Sequence, residues 1–382
     1  MKKTVNYKSP IKPSRQMRKG PMDRVLFTMV VLLMTFGTFM VFSSSAPYAI
    51  RRHGNPYYFL KRDLIWSAMG LFVMVFVSFI DYRKYKKYAK FFYLFSMLLC
   101  VLCFVPVISK PTNYAHRWIG TKQITIMPSD LVKISSVLYL SSILTKDSIQ
   151  KNGSALMFFK VMFFVALTVI PIYIQPNFSA VIVIAFTLLS LYFIGGMSLI
   201  ALIPMLAVVG GGLTVAFWPK EGNYRLDRLK IVFDPLKDAK NKGWQLMQSL
   251  FAVSTGGLFG VGYGKSRQKF DYLADEPHND FIFSVISEEL GFIGASFFIL
   301  FYAYMIYRCV KASSQARTPY GRLVGYGLSI VLAFQAMVNI GVSIGLVPPT
   351  GITLPFVSYG GSSLIAMCTI MGIILNISRD EN

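Results

Sequence analysis

A helix crosses the hydrocarbon core of a bilayer with about 17–25 predominantly apolar residues. At least nine windows of this 382-residue chain have that character. Lipid offers free peptide groups no partner, so such stretches must satisfy their backbone internally, as helices. The candidate spans are 25–43, 64–80, 91–107, 131–144, 157–174, 179–195, 199–218, 282–307, 323–345 and 361–377, the fourth short and polar-rimmed. Charged residues make up only 15% of the chain, against about 25% in a soluble domain. The pattern predicts an all-α polytopic membrane protein with ten transmembrane helices. Its organisation reads as a basic arm (1–24), a single ten-span membrane domain (25–379) and a short tail (380–382).

Ten spans place both termini on one side of the membrane, and lysine and arginine choose which side. The N-terminal arm holds eight, 81–90 five, 145–160 three, 308–322 four and the tail one, all on the same side, which is therefore cytoplasmic. The opposite loops at 45–63 and 108–129 hold four and three. A large extracellular loop, 219–281, separates spans seven and eight and holds ten more, but loops of that length carry little weight in topology. No small-residue cleavage site follows the first apolar run, so that run reads as a retained span. Despite the net charge of +22, no nucleic-acid partner is expected. Cys100 and Cys103 form a CxxC on an apolar helix without a neighbouring His or acid, where packing outranks metal or redox chemistry. Cys309 and Cys368 also fall in or beside apolar spans.

A charge at mid-membrane costs about 2.5–3.5 kcal/mol on insertion scales, so intramembrane charge marks function by default. Few residues qualify. Arg62 and Asp63 open the second span, and Asp130 and Lys133 share one helical face at the start of the fourth. Asp280 opens the eighth, with Glu288 and Glu289 about 12 Å deeper. All lie toward the outer leaflet, which points to one polar cavity open to the outside. Each also has a structural reading. Asp280 suits the N-cap of its helix, Asp130 and Lys133 suit an ion pair snorkelling to the interface, and Arg62, after "NPYYFLK", suits an interface anchor. Glu288 and Glu289 read as buried structural acids that pair with a basic residue on another span.

Two stretches break the helical pattern. "GWQLMQSLFAVSTGGLFGVGYG" (243–264) begins amphipathic and ends in a glycine cluster, which suggests a helix lying at the membrane surface and then a tight turn. It is not a dinucleotide fingerprint, because no strand precedes it. "GLVPPTGITLPFVSYGGSS" (345–363) holds too many prolines and glycines for a regular helix, yet is too apolar for a solvated loop. Irregular backbone at membrane depth is tolerated where it is buried in protein or lines a cavity, so a re-entrant loop before the tenth span is expected.

Asn339 and the segment 345–363 together resemble the signature of the SEDS family (shape, elongation, division and sporulation). Other landmarks agree in order: "RWIG" (117–120), "MPSDLVK" (127–133), "QPN" (175–177), "GWQLMQSLFAVSTGGLFGVGYGKSRQKFDYL" (243–273) and "HNDFIFSVISEELGFIG" (278–294). The resemblance covers residues 25 to 379, and "LPFVSYGG" and "LNISR" are nearer the FtsW/SpoVE branch than RodA. The chain departs from the family pattern with Asp130 for the usual Glu, and with Asn177 and Ser179 in "QPNFS" for Asp and Gly. "YLADEPHNDF" is one residue longer than the usual stretch and has Asn279 for Thr.

The resemblance implies a peptidoglycan glycosyltransferase on the outer face of the bacterial cytoplasmic membrane, enriched at the division septum or acting in sporulation. Its substrate would be lipid II, the undecaprenyl-pyrophosphate-linked disaccharide peptide. Its partners would be a class B penicillin-binding protein transpeptidase and other division or elongation membrane proteins. Residue by residue, the family's essential acid falls on Asp280, the tryptophan of its RWIG motif on Trp118, its acid and lysine on Asp130 and Lys133, and its second-span arginine on Arg62. Ser358, inside the last signature, is a further substrate-binding candidate.

By the family's chemistry an α-linked donor becomes a β-linked product, so one inverting displacement suffices. A single base must accept the proton of the attacking hydroxyl, and cations must balance charge on the departing pyrophosphate. Asp280 is the candidate base, at a low-dielectric mouth of the kind that strengthens a carboxylate as a base. Lys133 and Arg62 are candidate pyrophosphate partners, with arginine the better bidentate clamp. Arg225, Arg228, Lys265, Arg267, Lys269 and His278 are loop candidates for anionic lipid or pyrophosphate. Trp118 would pack on sugar or lipid, or anchor at the interface. No metal-ligand spacing is present, so no metal or cofactor is assigned; a divalent cation (Mg or Mn) bridging Asp280 and the pyrophosphate is left open. Two other functions suit ten spans and an outer cavity: a lipid II flippase, which should line both leaflets with polar groups, and a noncatalytic scaffold for a synthase.

Overall fold

A computed structural model describes residues 20–105, 109–112, 115–120, 125–146, 153–216, 218, 224–235, 242–271 and 278–380. The basic arm through residue 19, the "ADEP" run at 274–277 and the last two residues lie outside the described residues. In chain order the helices are α1 (Arg24–His53), α2 (Tyr58–Phe79), α3 (Tyr82–Leu102), α4 (Pro128–Leu144), α5 (Ala155–Ile174), α6 (Phe178–Ile194) and α7 (Leu202–Ala216). There follow α8 (Tyr224–Phe233), α9 (Lys242–Thr255), the single turn α10 (Gln268–Asp271), α11 (Ile282–Ser314), α12 (Pro319–Ser343) and α13 (Gly361–Ser378).

Every expected span overlaps a helix. Among the described residues, α1, α2, α5, α11, α12 and α13 are long and apolar enough to cross a membrane. The others fall short for reasons visible in their residues. α3 opens on the basic run "YRKYKKYAK", α4 places Asp130 and Lys133 in 17 residues, and α6 and α7 have 17 and 15 residues. The two ends of the described chain meet on one face. The Gly20 N–H donates to the Arg379 carbonyl at 2.9 Å, Arg308 clamps Asp23 at 2.7 Å and Arg83 meets Asp380 at 3.1 Å.

The chain is not wholly helical. Between α3 and α4 lies an antiparallel sheet of β1 (Ser109–Thr112), β2 (Ala115–Gly120) and β3 (Thr125–Ile126), in that order, with Lys110 opposite Trp118 and Ile119 opposite Ile126. Aromatic and β-branched residues in the "RWIG" stretch suit a strand.

α11 is two half-helices. Gly291 (φ 68°, ψ −173°) breaks it, and the glycine cluster after α9 fills the break. The Phe292 and Ile293 N–H groups donate to the Gly257 and Leu258 carbonyls at 2.8 and 3.1 Å, and the Val261 and Gly262 N–H groups donate to the Glu288 and Glu289 carbonyls, both at 3.0 Å. A Cβ on Gly260 would lie 2.2 Å from the Glu289 carbonyl oxygen, so only glycine lets the two backbones meet. Irregular backbone inside an apolar helix is thus satisfied by other backbone. α9 does not simply lie on the membrane. Leu246 and Ala252 are buried, and Ser249 Oγ bonds Ser284 Oγ at 2.5 Å and donates to the Ser343 carbonyl at 2.7 Å.

The two acids beside the break are buried, and both bond to residues that follow this glycine cluster. Glu288 accepts from Ser266 Oγ at 2.5 Å and from the Arg267 N–H at 2.8 Å. Glu289 accepts from Lys269 Nζ at 2.8 Å and from Ser43 Oγ on α1 at 2.6 Å. The basic partner of Glu289 therefore comes from α10, in the stretch before α11, and not from another span as the sequence suggested.

Residues 344–360 form no helix, yet Ile352, Leu354, Phe356 and Val357 are buried. α1 admits this segment at Gly37, where a Cβ would stand 2.6 Å from the Phe356 carbonyl oxygen. The segment turns inward between α12 and α13, in keeping with the expected re-entrant loop, and forms one wall of the cavity described next.

Candidate active site

Arg62, Trp118, Asp130, Lys133 and Asp280 line one cavity of about 460 Å³. They arrive from four places in the chain: the start of α2, strand β2, the first two turns of α4, and the residues just before α11. Its remaining walls include Gln335 of α12, residues 351–353, and 359–363 at the start of α13.

The N-cap position of α11 falls on Phe281, so Asp280 stands one residue outside it, on the cavity wall. Its backbone carbonyl accepts from Asn339 Nδ2 on α12 at 3.0 Å, and the same amide nitrogen donates to the Ile352 carbonyl at 2.7 Å. Gly351 (φ 74°) brings the loop backbone against the carboxylate: a Cβ there would be 3.6 Å from Asp280 Oδ2. The acid is thus placed by two elements that sequence reasoning had not connected.

Lys133 is 4% exposed. Its Nζ donates to Asp130 Oδ1 at 2.8 Å and to Gln335 Oε1 at 2.9 Å, and Gln335 Nε2 donates to the Thr353 carbonyl at 3.1 Å. The ion pair expected from the three-residue spacing is present, and it ties α4 to α12 and the re-entrant segment. Arg62 is exposed, with its guanidinium 4.7 Å above the Tyr58 ring. Its neighbour Asp63 turns instead to α1 and accepts from Thr38 Oγ1 at 2.9 Å. Trp118 is half-buried on β2. Beside it Arg117 also lines the cavity and donates to the Pro176 carbonyl.

The remaining candidates lie elsewhere. Lys269 does not line the cavity; it is buried in its pair with Glu289, which leaves it no face for a pyrophosphate. Arg267 is exposed and touches Glu288 through its backbone. Lys265 is exposed, the Arg225 side chain lies outside the described residues, and Arg228 donates to the Pro349 carbonyl at 2.9 Å. His278 is buried among Phe59, Tyr359 and Tyr48, with ring centroids 4.4, 5.4 and 5.9 Å away. Burial pushes its imidazole down to about 3, so it is uncharged at neutral pH and offers no cation to an anion. Ser358 acts within its own loop, where its Oγ accepts from the Leu354 N–H at 2.8 Å.

The departures in "QPNFS" have structural work. Asn177 Oδ1 caps α6 through the Ala180 N–H at 3.3 Å, its Nδ2 donates to Ser129 Oγ at 3.3 Å, and Ser179 Oγ donates to the Thr350 carbonyl at 2.5 Å. Sequence reasoning did not single out Arg117, Trp66, Gln335 or Tyr359. Arg117 had a signal, being next to Trp118, whereas Gln335 looks like any polar residue on a helix face. Among the described residues no group of three or more His, Cys, Asp or Glu is placed to hold a metal.

The fold and cavity define a multi-pass membrane protein with an acid- and cation-lined site at one end of its helices. The chain belongs to the FtsW/RodA/SpoVE family of cell cycle proteins, whose family model matches residues 23–382. It is 36% identical over 371 residues to stage V sporulation protein E of Bacillus subtilis, covering 95% of this chain and 98% of that one. It is also 36% identical over 351 residues to the probable peptidoglycan glycosyltransferase FtsW of Coxiella burnetii, covering 91% and 94%. A chain from a peptidoglycan synthase complex, solved for the structural coordination of polymerization and crosslinking, matches with a TM-score of 0.79 and 26% identity over 94% of this chain and 98% of that one. RodA of Thermus thermophilus shares the fold, with a TM-score of 0.68 and 23% identity over 94% and 97%.

Proposed function

We propose that this protein is a peptidoglycan glycosyltransferase that polymerises lipid II on the outer face of the bacterial cytoplasmic membrane, in septal division or sporulation. The observation that carries the reading is the gathering of one candidate base, Asp280, with the cations Arg62 and Lys133 around a single cavity. The relatives named above support it. The 4-hydroxyl of the acceptor sugar attacks C1 of the donor sugar, the bond from C1 to the pyrophosphate oxygen breaks, and the configuration inverts. Asp280 takes the hydroxyl proton, a step that contributes typically about 10²–10⁴-fold.

Diphosphate leaves without a protein acid, so the cations carry the other half of catalysis. Arg62 is exposed and presents a planar fork to two phosphate oxygens. Lys133 is held by Asp130 and Gln335 as a fixed positive charge deeper in the wall. Trp118 offers a flat apolar face to the sugars. A Mg or Mn ion, when bound, would be held by Asp280 together with substrate phosphates, since one or two carboxylates suffice for such ions, and would neutralise charge on the leaving group. Ten spans with both termini cytoplasmic, a class B penicillin-binding protein as partner and enrichment at the septum complete the reading.

The test is reconstitution of the purified protein with lipid II, with and without a class B transpeptidase, reading glycan length on a gel. Polymer is the expected product. Transfer of lipid II between vesicle leaflets without polymer would favour a flippase. Neither activity, beside a working control enzyme, would favour a scaffold.

A further inference from the structure

Asp280 follows a stretch of outer loop, and loops alone rarely hold a reacting group to the tolerance that catalysis needs. The structure supplies a clasp from a different helix. Asn339 lies on α12 and is 1% exposed. The two hydrogens of its amide serve two carbonyls, that of Asp280 at 3.0 Å and that of Ile352 at 2.7 Å. Neither carbonyl belongs to a neighbouring residue in the chain: Asp280 is 59 positions away and Ile352 is 13. One side chain thus fixes the distance between the segment carrying the acid and the segment forming the opposite lip. Gly351, next to Ile352, is where that lip meets the Asp280 carboxylate.

One helical turn earlier, Gln335 repeats the arrangement. It donates to the Thr353 carbonyl and accepts from Lys133. Residues four apart share a helix face, so one stripe of α12 sets the re-entrant segment against both the candidate base and the buried cation. Its rigidity follows from where it lies, because buried amide donors without partners are costly and these two are satisfied only when the segments sit where they do.

We infer that Asn339 is a positioning residue for the reaction proposed above, holding the Asp280 backbone and the re-entrant lip in register through one bifurcating amide. The inference rests on that reading of the cavity. It predicts an effect on turnover and not on substrate capture, since Asn339 is absent from the residues lining the cavity.

The test compares wild type with Asn339→Asp, an isostere without donors, and Asn339→Ala, which is smaller and leaves room for water. Initial rates of lipid II polymerisation give kcat and KM, and thermal midpoints establish folding. The expected result for both folded variants is a kcat lower by about 10²-fold, the scale of a 1 Å misplacement, with KM little changed. Should Asn339→Asp fail to fold, Asn339→Ala decides. Unchanged kcat in folded Asn339→Ala overturns the inference, and so does a raised KM with unchanged kcat, which would make Asn339 a substrate contact. A second readout needs no catalysis. In an Asp280→Cys background, maleimide labelling at position 280 should change in rate when Asn339→Ala is added; an identical rate would show that Asn339 does not hold this residue. Absence of polymer from wild type would contradict the proposed function, and the labelling result would still judge the clasp.

Discussion

Replacing Lys269 with Met should destabilise the protein through a charge left behind. Lys269 and Glu289 lie 2.8 Å apart, with side chains 3% and 0% exposed. At that separation an effective dielectric of 20 gives roughly 6 kcal/mol of attraction, most of which offsets the desolvation of both ions. Removing only one partner strands the other, at a cost of about 3–5 kcal/mol. Glu289 would keep Ser43 Oγ and the distant Ser266 N–H, too little for a buried carboxylate, and its Oε2 already lacks a partner. Lys269→Met/Glu289→Gln carries no charge and should recover most of the loss. The assay can use the protein's own thiols, because Cys100, Cys103, Cys309 and Cys368 are free and buried: a thiol-reactive dye will report unfolding in detergent. The single variant should melt lower by roughly 5–10 °C, and the double variant should lie near wild type. A single variant that melts with wild type, or a double variant that melts lower than the single, would refute the buried pair.

Three further outcomes follow from particular contacts. Gly361→Ala sets a Cβ 2.3 Å from the Trp66 ring. The ring must shift at a cost of about 1–3 kcal/mol, so polymerisation should fall with only a modest loss in thermal midpoint. Ser358→Ala removes the acceptor for the Leu354 N–H and should cost about 1 kcal/mol while retaining activity; abolished activity at unchanged stability would place Ser358 on the substrate. His278 has a folded-state pKa of about 3 against 6.5 in the unfolded chain, so between those values the unfolded state binds the extra proton. Its contribution to stability is complete above about pH 6.5 and is lost as pH falls toward 3; the wild-type midpoint should therefore drop more steeply from pH 7 to 5 than that of His278→Phe.

Much of the helical framework could be read from the chain because lipid imposes a single solution on long apolar stretches. The same constraint exposed the site. Arg62, Asp130, Lys133 and Asp280 stood out because charge near a membrane interior is costly, and three stretches of chain, α2, α4 and the residues before α11, bring them together. What escaped the sequence was pairing across distance. The break at Gly291 is invisible in a strongly apolar helix, since its cause is a loop some thirty residues earlier that supplies the missing hydrogen bonds. Lys269 reads as a loop cation until Glu289 and Ser43 close around it. Asn339 and Gln335 have no local signature of their roles, which exist only when the re-entrant segment folds back against α12. The small sheet at 109–126 was hidden for a simpler reason: strands this short carry too few alternating residues to show a period.

The most direct test of the central claim is polymerisation of lipid II by wild type and by Asp280→Asn, each purified in detergent, matched for thermal midpoint and for binding of a class B transpeptidase, and supplied with divalent cation. Asparagine keeps the shape of the side chain and removes its basicity. With Asp280 as the base, wild type should give long glycan and Asp280→Asn at least about 10²-fold less. Glycan of equal length and yield from both would remove Asp280 from the chemistry and contradict the account.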